Sequence, residues 1–450
     1  MRAPHGRRAP PARSVVVPAL YFTLGLLCRL VVFTGGHTEG DELVYQALVL
    51  QLEYGFGYTL IGSPLMDRGW PADQYGKALF FHPPGGIALF WLLHRVIGDL
   101  AFPVAQVLVY ALFFWSMMSL ARGVFGRLEG LRLHAVALLA AFTPIMTHVV
   151  SRFWIDGPML AFATLAAALY VRGLRVRSRG GVVLAALVMG YASWIKTAAL
   201  VMLPGLLALG AALPRFAPGG SARDAGGGWG SRPASPRAAP PEAHEDTAAR
   251  ASAPRLALAF ALIAIAVQLP WELWQWRVVG NPFPAWAGKP SPELMANNQY
   301  VYALTVTRPP WMYLTLLPRA AWTLLPSIAG LALPRLDARA RRIGLALLLW
   351  ISVVLAVVIG LGAIGYSKLL RYAVLVTPAT VLLCGLTAGE AWRRMRDPQA
   401  TPRARRLATV LVGCLIAGLA LEVAQGLYTP LVDRHRDLIV PILLPAGGVL

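Results

Sequence analysis

Three acidic residues lie at the edges of long apolar runs in this chain: Asp41, Glu42 and Asp156. An acidic side chain at such an edge is costly unless it is paired or used. Asp41 opens the segment 41–54, whose apolar residues have helical spacing, and the positive end of a helix dipole keeps a carboxylate ionised, as a general base requires. The pattern therefore predicts a carboxylate base, with a purely structural acidic pair at a helix start as the alternative.

Five basic side chains border the apolar runs in the same way: Arg152, Lys196, Lys368, Arg371 and His82. Cations placed together hold phosphate oxygens, and a carboxylate beside them would take a proton from an attacking hydroxyl. The set therefore predicts a site for a substrate with a phosphate group and an apolar tail. The structural alternatives are an ion pair with Asp156 for Arg152, snorkelling for Lys196, and anchoring of a helix end for Lys368 and Arg371.

Apolar runs recur along the whole chain, which is 57% hydrophobic and 14% charged, with a mean hydropathy of +0.58. This composition is typical of a polytopic helical membrane protein. The run 181–213 is about 50 Å long as a helix, too long for a hydrocarbon core of about 30 Å, so we predict two short spans that meet at residues 194–197. The predicted all-α fold has about eleven spans: 15–34, 101–121, 133–150, 157–171, two within 181–213, 256–275, 313–333, 343–362, 369–388 and 407–427.

The short apolar run 83–97 decides on which side of the membrane every later loop lies. If it rests on the membrane surface, six segments that hold 27 of the 41 Lys and Arg residues face the cytoplasm. If it spans, five of these six segments lie outside, against the tendency of cytoplasmic loops to accumulate Lys and Arg. The sequence therefore predicts interfacial helices at 41–54 and 83–97. It also predicts a cell-membrane protein with a cytoplasmic N-terminus and with its C-terminus and candidate site outside.

The chain divides into two membrane halves around one low-complexity segment. The predicted units are a cytoplasmic tail 1–14, a first membrane half 15–213 with the outer loop 35–100, a disordered cytoplasmic linker 214–254, a second membrane half 255–427 and an outer tail 428–450. The net charge of +20 does not indicate nucleic-acid binding, because the arginines lie in short loops and no folded basic domain carries them. The three cysteines show neither metal spacing nor a disulfide pattern.

Six short motifs follow one another in a recognisable order. They are Gly40-Asp41-Glu42, Phe81-His82-Pro83-Pro84, the acidic turn 152–156, Trp194-Ile195-Lys196-Thr197, Gly280-Asn281-Pro282-Phe283, and the segment 367–372 before a span with Pro378. This order resembles the GT-C glycosyltransferases that use polyprenyl-phosphate sugars. Within them it looks most like the dolichyl-phosphate-mannose–protein mannosyltransferase (PMT) family and its bacterial relatives, including the aminoarabinose transferases acting on lipid A. The resemblance covers about residues 15–390 and implies the GT-C fold.

The resemblance implies a role for each candidate residue in sugar transfer to an acceptor hydroxyl, with inversion at the anomeric carbon. Asp41 would activate the hydroxyl, and Glu42 and Asp156 would support it or bind sugar hydroxyls. The residues implied in donor phosphate binding are Lys196, Lys368, Arg371, Arg152 and His82, and those in substrate binding are Tyr45 and Tyr372. His82 departs from the pattern, because many relatives have Lys before the two prolines.

The resemblance also implies the partners of the reaction. These are a polyprenyl-phosphate sugar as donor, a protein, lipid or glycan as acceptor, and the membrane lipids. No metal and no cofactor is expected, since several cations around a monophosphate leaving group can neutralise it. The alternative function is a transporter or flippase of lipid-linked substrates. Such a protein would be expected to show paired half-repeats and charges near the bilayer midplane, and the sequence shows no clear repeat.

Overall fold

The computed structural model describes residues 13–33, 41–63, 82–150, 152–213, 243–279, 296, 302–333 and 336–443. No β-strand occurs among these residues, so the predicted all-α class is confirmed. The α-helices are Arg13–Phe33, Asp41–Glu53, Gly85–Ile97, Ala101–Phe125, Gly130–Phe142, Pro144–Val150, Asp156–Arg175, Arg179–Ile195, Leu203–Ala212, Ala243–Val279, Met312–Ala320, Leu324–Ala329, Ala338–Ala363, Thr377–Arg396 and Pro402–Leu443. Tighter 3₁₀ turns occupy Gly98–Leu100, Thr197–Met202, Gly330–Ala332 and Leu370–Val376, and residues Ala303–Thr307 form a π-helix.

Seven helical stretches within the described part of the chain are long and apolar enough to cross a membrane. They are Gly85–Phe125, Gly130–Val150, Asp156–Arg175, Pro254–Val278, Ala338–Ala363, Leu370–Arg396 and Pro402–Tyr428. Three shorter apolar helices accompany them at Val15–Leu30, Arg179–Ile195 and Thr197–Ala212. The chain is therefore a multi-pass membrane protein. These stretches coincide with ten of the predicted spans, and the count of eleven stays a prediction.

The segment 313–333 is not the single helix predicted from its apolar run. Helix Met312–Ala320 ends at Ala321, whose φ of −137° and ψ of 72° are not helical, and helix Leu324–Ala329 follows. Glu422, on helix Pro402–Leu443, accepts hydrogen bonds from Thr323 N–H (2.8 Å) and Thr323 Oγ1 (2.6 Å). The carboxylate thus satisfies a backbone donor that the break exposes, which a count of apolar residues along the segment cannot show.

A second break divides the predicted span 133–150. Helix Gly130–Phe142 ends at Thr143, and helix Pro144–Val150 begins with a residue that has no N–H to offer. Arg29 is buried and donates from Nη2 to the carbonyl oxygen of Ala141 at 3.0 Å, and its guanidinium lies 3.9 Å from the Tyr110 ring centroid. Arg29, on the first helix, therefore satisfies a backbone carbonyl at the end of helix Gly130–Phe142.

The predicted break at residues 194–197 is confirmed, while the crossing of the membrane by the two short helices stays a prediction. Helix Arg179–Ile195 ends at Lys196, which is extended with a φ of −157° and a ψ of 121°, and the chain continues through the 3₁₀ turn Thr197–Met202. The separate helix at 85–97 is also confirmed, because Gly98 has a φ of +61° and breaks the path into helix Ala101–Phe125. Its interfacial position, like that of helix Asp41–Glu53, stays a prediction.

Helix Asp156–Arg175 lies at the centre of the first half. It packs against helices Ala101–Phe125 and Arg179–Ile195, and the latter packs against helix Ala243–Val279. That last helix begins within the segment predicted to be a linker, whose residues 214–242 lie outside the described residues.

The close approach of helix Pro402–Leu443 to the break at Thr143 gives a test of this packing. A Cβ added at Gly426 would lie 1.8 Å from the carbonyl oxygen of Phe142, whereas one added at Gly413 would meet nothing within 4 Å. We expect Gly426→Ala to lower the free energy of unfolding by about 1–3 kcal/mol through overpacking. Gly413→Ala should be neutral or slightly stabilising, since alanine favours the helix. Thermal unfolding of the two purified variants in one detergent measures the difference, and equal melting temperatures would contradict the packing.

Candidate active site

Asp41 and Arg371 form the first of two ion pairs, although they are 330 positions apart. Asp41 is the first residue of helix Asp41–Glu53, and its carboxylate Oδ2 accepts a hydrogen bond from Nη2 of Arg371. Arg371 lies in the 3₁₀ turn that leads into helix Thr377–Arg396, and its guanidinium covers the Trp154 ring at 4.3 Å. The Asp41 side chain is 35% exposed, so it stays accessible to a second partner.

Asp156 and Lys196 form the second pair. Lys196 Nζ donates to Asp156 Oδ1 at 2.7 Å, and the side chains are only 13% and 2% exposed. Asp156 begins helix Asp156–Arg175, whose dipole favours a negative charge at that end. Lys196 is held there by the break after Ile195 and is therefore engaged by a carboxylate rather than extended to the membrane surface. The Arg152–Asp156 pair, which was the structural alternative for Arg152, stays a prediction.

The two pairs meet around Tyr372. The Lys196 ammonium lies 5.2 Å from the centroid of that ring, and the Arg371 guanidinium lies 5.5 Å from it. Asp156 also interacts electrostatically with Arg371. Four residues that the sequence predicts to work together are thus brought to one place, with a carboxylate and a cation in each pair.

Tyr45 lies one turn after Asp41 and is buried against the same charges. Burial raises the pKa of its phenol well above the usual value, and the nearby Asp41 and Asp156 carboxylates add to the effect. The phenol therefore keeps its proton at physiological pH and can serve as a hydrogen-bond donor.

Glu42 is completely buried and holds the turn that carries Trp154. Its Oε1 accepts a hydrogen bond from the Phe153 N–H at 2.7 Å, and its Oε2 lies 3.7 Å from Arg152 Nη1. The Arg152 guanidinium in turn lies 5.1 Å from the Trp154 ring centroid. Glu42 and Arg152 thus pair with each other, and they fasten the turn 152–154 to the start of helix Asp41–Glu53. Their predicted roles in the reaction stay predictions.

His82 stands at the same group of charges but is a poor cation. Burial, together with the positive charge of Lys196, holds the pKa of its imidazole well below the usual value. The ring is therefore neutral at physiological pH and offers one donor and one acceptor. His82 therefore adds a hydrogen-bonding group to the unliganded site rather than a third positive charge.

Lys368 is placed differently from the other predicted cations. Its Nζ donates to the carbonyl oxygen of Thr305, and its own carbonyl accepts from Arg308 Nη1 at 3.2 Å. Burial lowers the pKa of its ammonium. The described contacts thus join Lys368 to the segment 303–308 and not to the two ion pairs.

A buried polar group next to Lys196 was missed from the sequence. Gln268 and Glu272, one turn apart on helix Ala243–Val279, face Ser193 and Thr197 across the helix contact. The signal that could have identified them is their spacing of four residues within the apolar run 256–275, which places two polar side chains on one face. No group of three or more His, Cys, Asp or Glu side chains is placed to hold a metal ion in the described ranges.

Two solved proteins share this arrangement of helices. ArnT from Cupriavidus metallidurans in the apo state superposes with a TM-score of 0.56 at 16% identity, over 94% of this chain and 77% of that one. ArnT bound to undecaprenyl phosphate gives 0.54 at 17% identity over the same shares. The apo oligosaccharyltransferase of Archaeoglobus fulgidus gives 0.52 at 13% identity, over 92% of this chain and 56% of that one. The chain has the GT-C fold. Identities this low establish the fold and not the reaction.

A family model supports the same relationship for part of this GT-C chain. The model described as dolichyl-phosphate-mannose-protein mannosyltransferase matches residues 81–215, which include His82, Arg152, Asp156 and Lys196. The resemblance to a PMT-like family is therefore confirmed, while Asp41 and Arg371 lie outside the matched residues. No curated protein matches the chain.

The lowered pKa of His82 predicts a pH dependence of stability. Below about pH 6.5 the imidazole of the unfolded chain binds a proton, whereas the folded imidazole, near Lys196 and Arg371, stays neutral to lower pH. The wild type should therefore lose stability relative to His82→Asn as the pH falls through 6.5 towards the lowered native value. Melting temperatures of both proteins between pH 5.5 and 8 measure this. If the melting temperatures of the two proteins change in parallel with pH, His82 has the same pKa in the folded and the unfolded chain, and the prediction is wrong.

Proposed function

We propose that this GT-C chain is a glycosyltransferase that moves a sugar from polyprenyl phosphate to an acceptor hydroxyl on the non-cytoplasmic face. The observation that carries the proposal is the meeting of two carboxylate–cation pairs around Tyr372. Sugar transfer from a phosphate carrier needs both a proton acceptor and a neutralised leaving phosphate, and each pair contains one group of either kind.

Structures with the same fold support the choice of donor. ArnT has been solved with undecaprenyl phosphate, and the oligosaccharyltransferase of Archaeoglobus fulgidus with a dolichol-phosphate and an inhibitory peptide. A phosphate on a long polyprenyl chain is therefore a ligand that this fold accommodates. The sugar and the acceptor of the present chain are left open, with protein, lipid and glycan acceptors all compatible with a hydroxyl nucleophile.

In the proposed reaction the acceptor hydroxyl transfers its proton to the Asp41 carboxylate while its oxygen attacks the anomeric carbon. The bond between that carbon and the phosphate oxygen breaks, and its electron pair leaves with polyprenyl phosphate. Attack from the face opposite the leaving group inverts the configuration. Lys196 and Arg371 neutralise the charge that grows on the phosphate, as preorganised cations do in a site sheltered from water.

The ion pairs also explain how the donor would prepare the base. Arg371 now donates to Asp41, and a donor phosphate that binds Arg371 would compete with the carboxylate for the guanidinium N–H groups. Asp41, which is already partly exposed, would then be available to the acceptor. Asp156 would keep Lys196 in position, and Tyr45 and Tyr372 would contact the substrate.

The positions of the charges favour this enzyme over a transporter. Asp41 and Asp156 are the first residues of their helices, and Lys196 follows the last residue of another. A transporter or flippase would concentrate its charged groups in discontinuous helices near the bilayer midplane. In the proposed topology, with the N-terminus in the cytoplasm and the C-terminus outside, all of these helix ends would lie at the outer interface.

The first test removes the proposed base and keeps its shape. Asp41→Asn should reduce sugar transfer by at least about a hundredfold, since a positioned general base contributes roughly 10²–10⁴ in rate. Glu53→Gln is the matched control because Glu53 ends the same helix and pairs with Arg95 at 3.5 Å, away from the site. The measurement is the transfer of radiolabelled sugar by purified protein with a panel of undecaprenyl-phosphate sugars. Full activity of Asp41→Asn would exclude the base.

The second test concerns metal ions. Because the proposed site neutralises the leaving phosphate with Lys196 and Arg371, transfer should change less than about twofold after treatment with EDTA, and added Mg²⁺ or Mn²⁺ should not raise it. Initial rates before and after chelation measure this. Loss of activity on chelation, with recovery on metal addition, would show that a metal ion acts in the reaction.

A further inference from the structure

The buried polar group beside Lys196 contains a carboxylate with one oxygen unused. Gln268 Nε2 donates to Glu272 Oε1 at 2.7 Å and also lies 3.1 Å from Thr197 Oγ1. Ser193 Oγ lies 2.8 Å from Gln268 Oε1 and 2.6 Å from the carbonyl oxygen of Gly190, which are the two acceptors for its hydroxyl proton. Glu272 Oε2 is buried, yet no hydrogen-bond partner lies within reach among the residues that the structure describes. A buried carboxylate oxygen of this kind is ready to accept a hydrogen bond from a ligand.

The neighbouring Trp271 has the complementary property. Its side chain is 3% exposed and its indole Nε1–H has no acceptor in the described part of the chain. The ring lies 6.5 Å from Tyr58 and 6.4 Å from Trp194, centroid to centroid. The Trp271 N–H, a donor without a partner in the described residues, therefore lies among aromatic rings. The next residue, Glu272, carries an acceptor oxygen that also lacks such a partner. A ligand with several hydroxyl groups on an apolar ring would match this combination, since aromatic faces pack against its C–H groups.

The position of the group relates it to the two ion pairs. Thr197 directly follows Lys196, and Thr197 Oγ1 lies 3.4 Å from Glu272 Oε1. The Tyr58 hydroxyl donates to the carbonyl oxygen of Pro83 at 3.3 Å, which joins the aromatic side to the segment after His82. The group is thus connected through Thr197 to Lys196 and through Trp271 and Tyr58 to the segment that follows His82.

We propose that Glu272 and Trp271 form a subsite that recognises the hydroxyl groups of the donor sugar. Glu272 Oε2 accepts a hydrogen bond from one hydroxyl, and the Trp271 indole N–H donates to another oxygen of the ring. Gln268, Ser193 and Thr197 position the carboxylate and do not touch the sugar. The subsite rests on the proposed function for the identity of its ligand, but it is a statement about binding and not about turnover.

The experiment compares binding of the sugar-free and the sugar-bearing carrier to the full chain in detergent. The probes are undecaprenyl phosphate and undecaprenyl phosphate linked to mannose, glucose, galactose or 4-amino-arabinose. The wild type should bind at least one sugar-bearing carrier about tenfold or more tightly than undecaprenyl phosphate, the gain expected of a hydrogen bond to a charged group. Glu272→Gln and Trp271→Phe should each remove most of this gain and leave the affinity for undecaprenyl phosphate unchanged.

Two further variants make the result specific. Lys196→Met should weaken binding of all the probes, because it acts on the phosphate that they share. Glu422→Gln also removes a buried carboxylate, but one whose partner Thr323 lies elsewhere, so the sugar gain should persist. Equal wild-type affinities for the sugar-free and every sugar-bearing carrier, or an equal loss for all probes in Glu272→Gln, would overturn the subsite. If the gain and its loss are seen but no sugar is transferred, the proposed enzyme fails and the subsite stands.

Discussion

The buried ion pair between Lys196 and Asp156 fixes the relative position of two helix ends. It joins the break after helix Arg179–Ile195 to the start of helix Asp156–Arg175. Loss of either partner would leave a buried charge without compensation, which costs several kcal/mol, so the two ends cannot separate cheaply. Helix Asp156–Arg175 begins two residues after Trp154 and so positions that ring. The Arg371 guanidinium packs on the Trp154 ring and donates to Asp41. The whole candidate site therefore depends on one pair of opposite charges.

Helix breaks inside the membrane also need polar partners. Backbone groups have no water to bind there, so every break in a helix needs a side chain to satisfy it. Arg29 does this for the carbonyl of Ala141, and Glu422 does it for the N–H of Thr323. Both breaks lie against one helix, because Gly426 approaches the Phe142 carbonyl and Gly418 approaches the backbone of Thr323. These two charges within apolar runs thus serve the fold and not the site.

The sequence was sufficient for features that depend on one stretch of chain. The length of the run 181–213 against the thickness of a bilayer predicted the turn at Lys196, and helical spacing predicted a helix that begins at Asp41. The order of the motifs also indicated that Asp41, Asp156, Lys196 and Arg371 share a site, but other contacts between two distant stretches could not be predicted. The break near Thr323 needs Glu422, about a hundred positions later, and Arg152 pairs with Glu42 on a helix far from it in sequence. Gln268 and Glu272 were overlooked because their partners lie on another helix.

The break at Lys196 has a further consequence for the bilayer itself. Helix Arg179–Ile195 has 17 residues, about 25 Å, and the stretch Thr197–Ala212 is of similar length, while an average hydrocarbon core measures about 30 Å. Two adjacent spans that are too short produce a hydrophobic mismatch, which the bilayer relieves by thinning around them. Such thinning would bring lipid phosphates and water deeper beside Lys196 than in a bilayer of average thickness. In the proposed reaction, a lipid-linked donor phosphate would then reach the site by lateral diffusion within its own leaflet, with its chain still among the lipid tails.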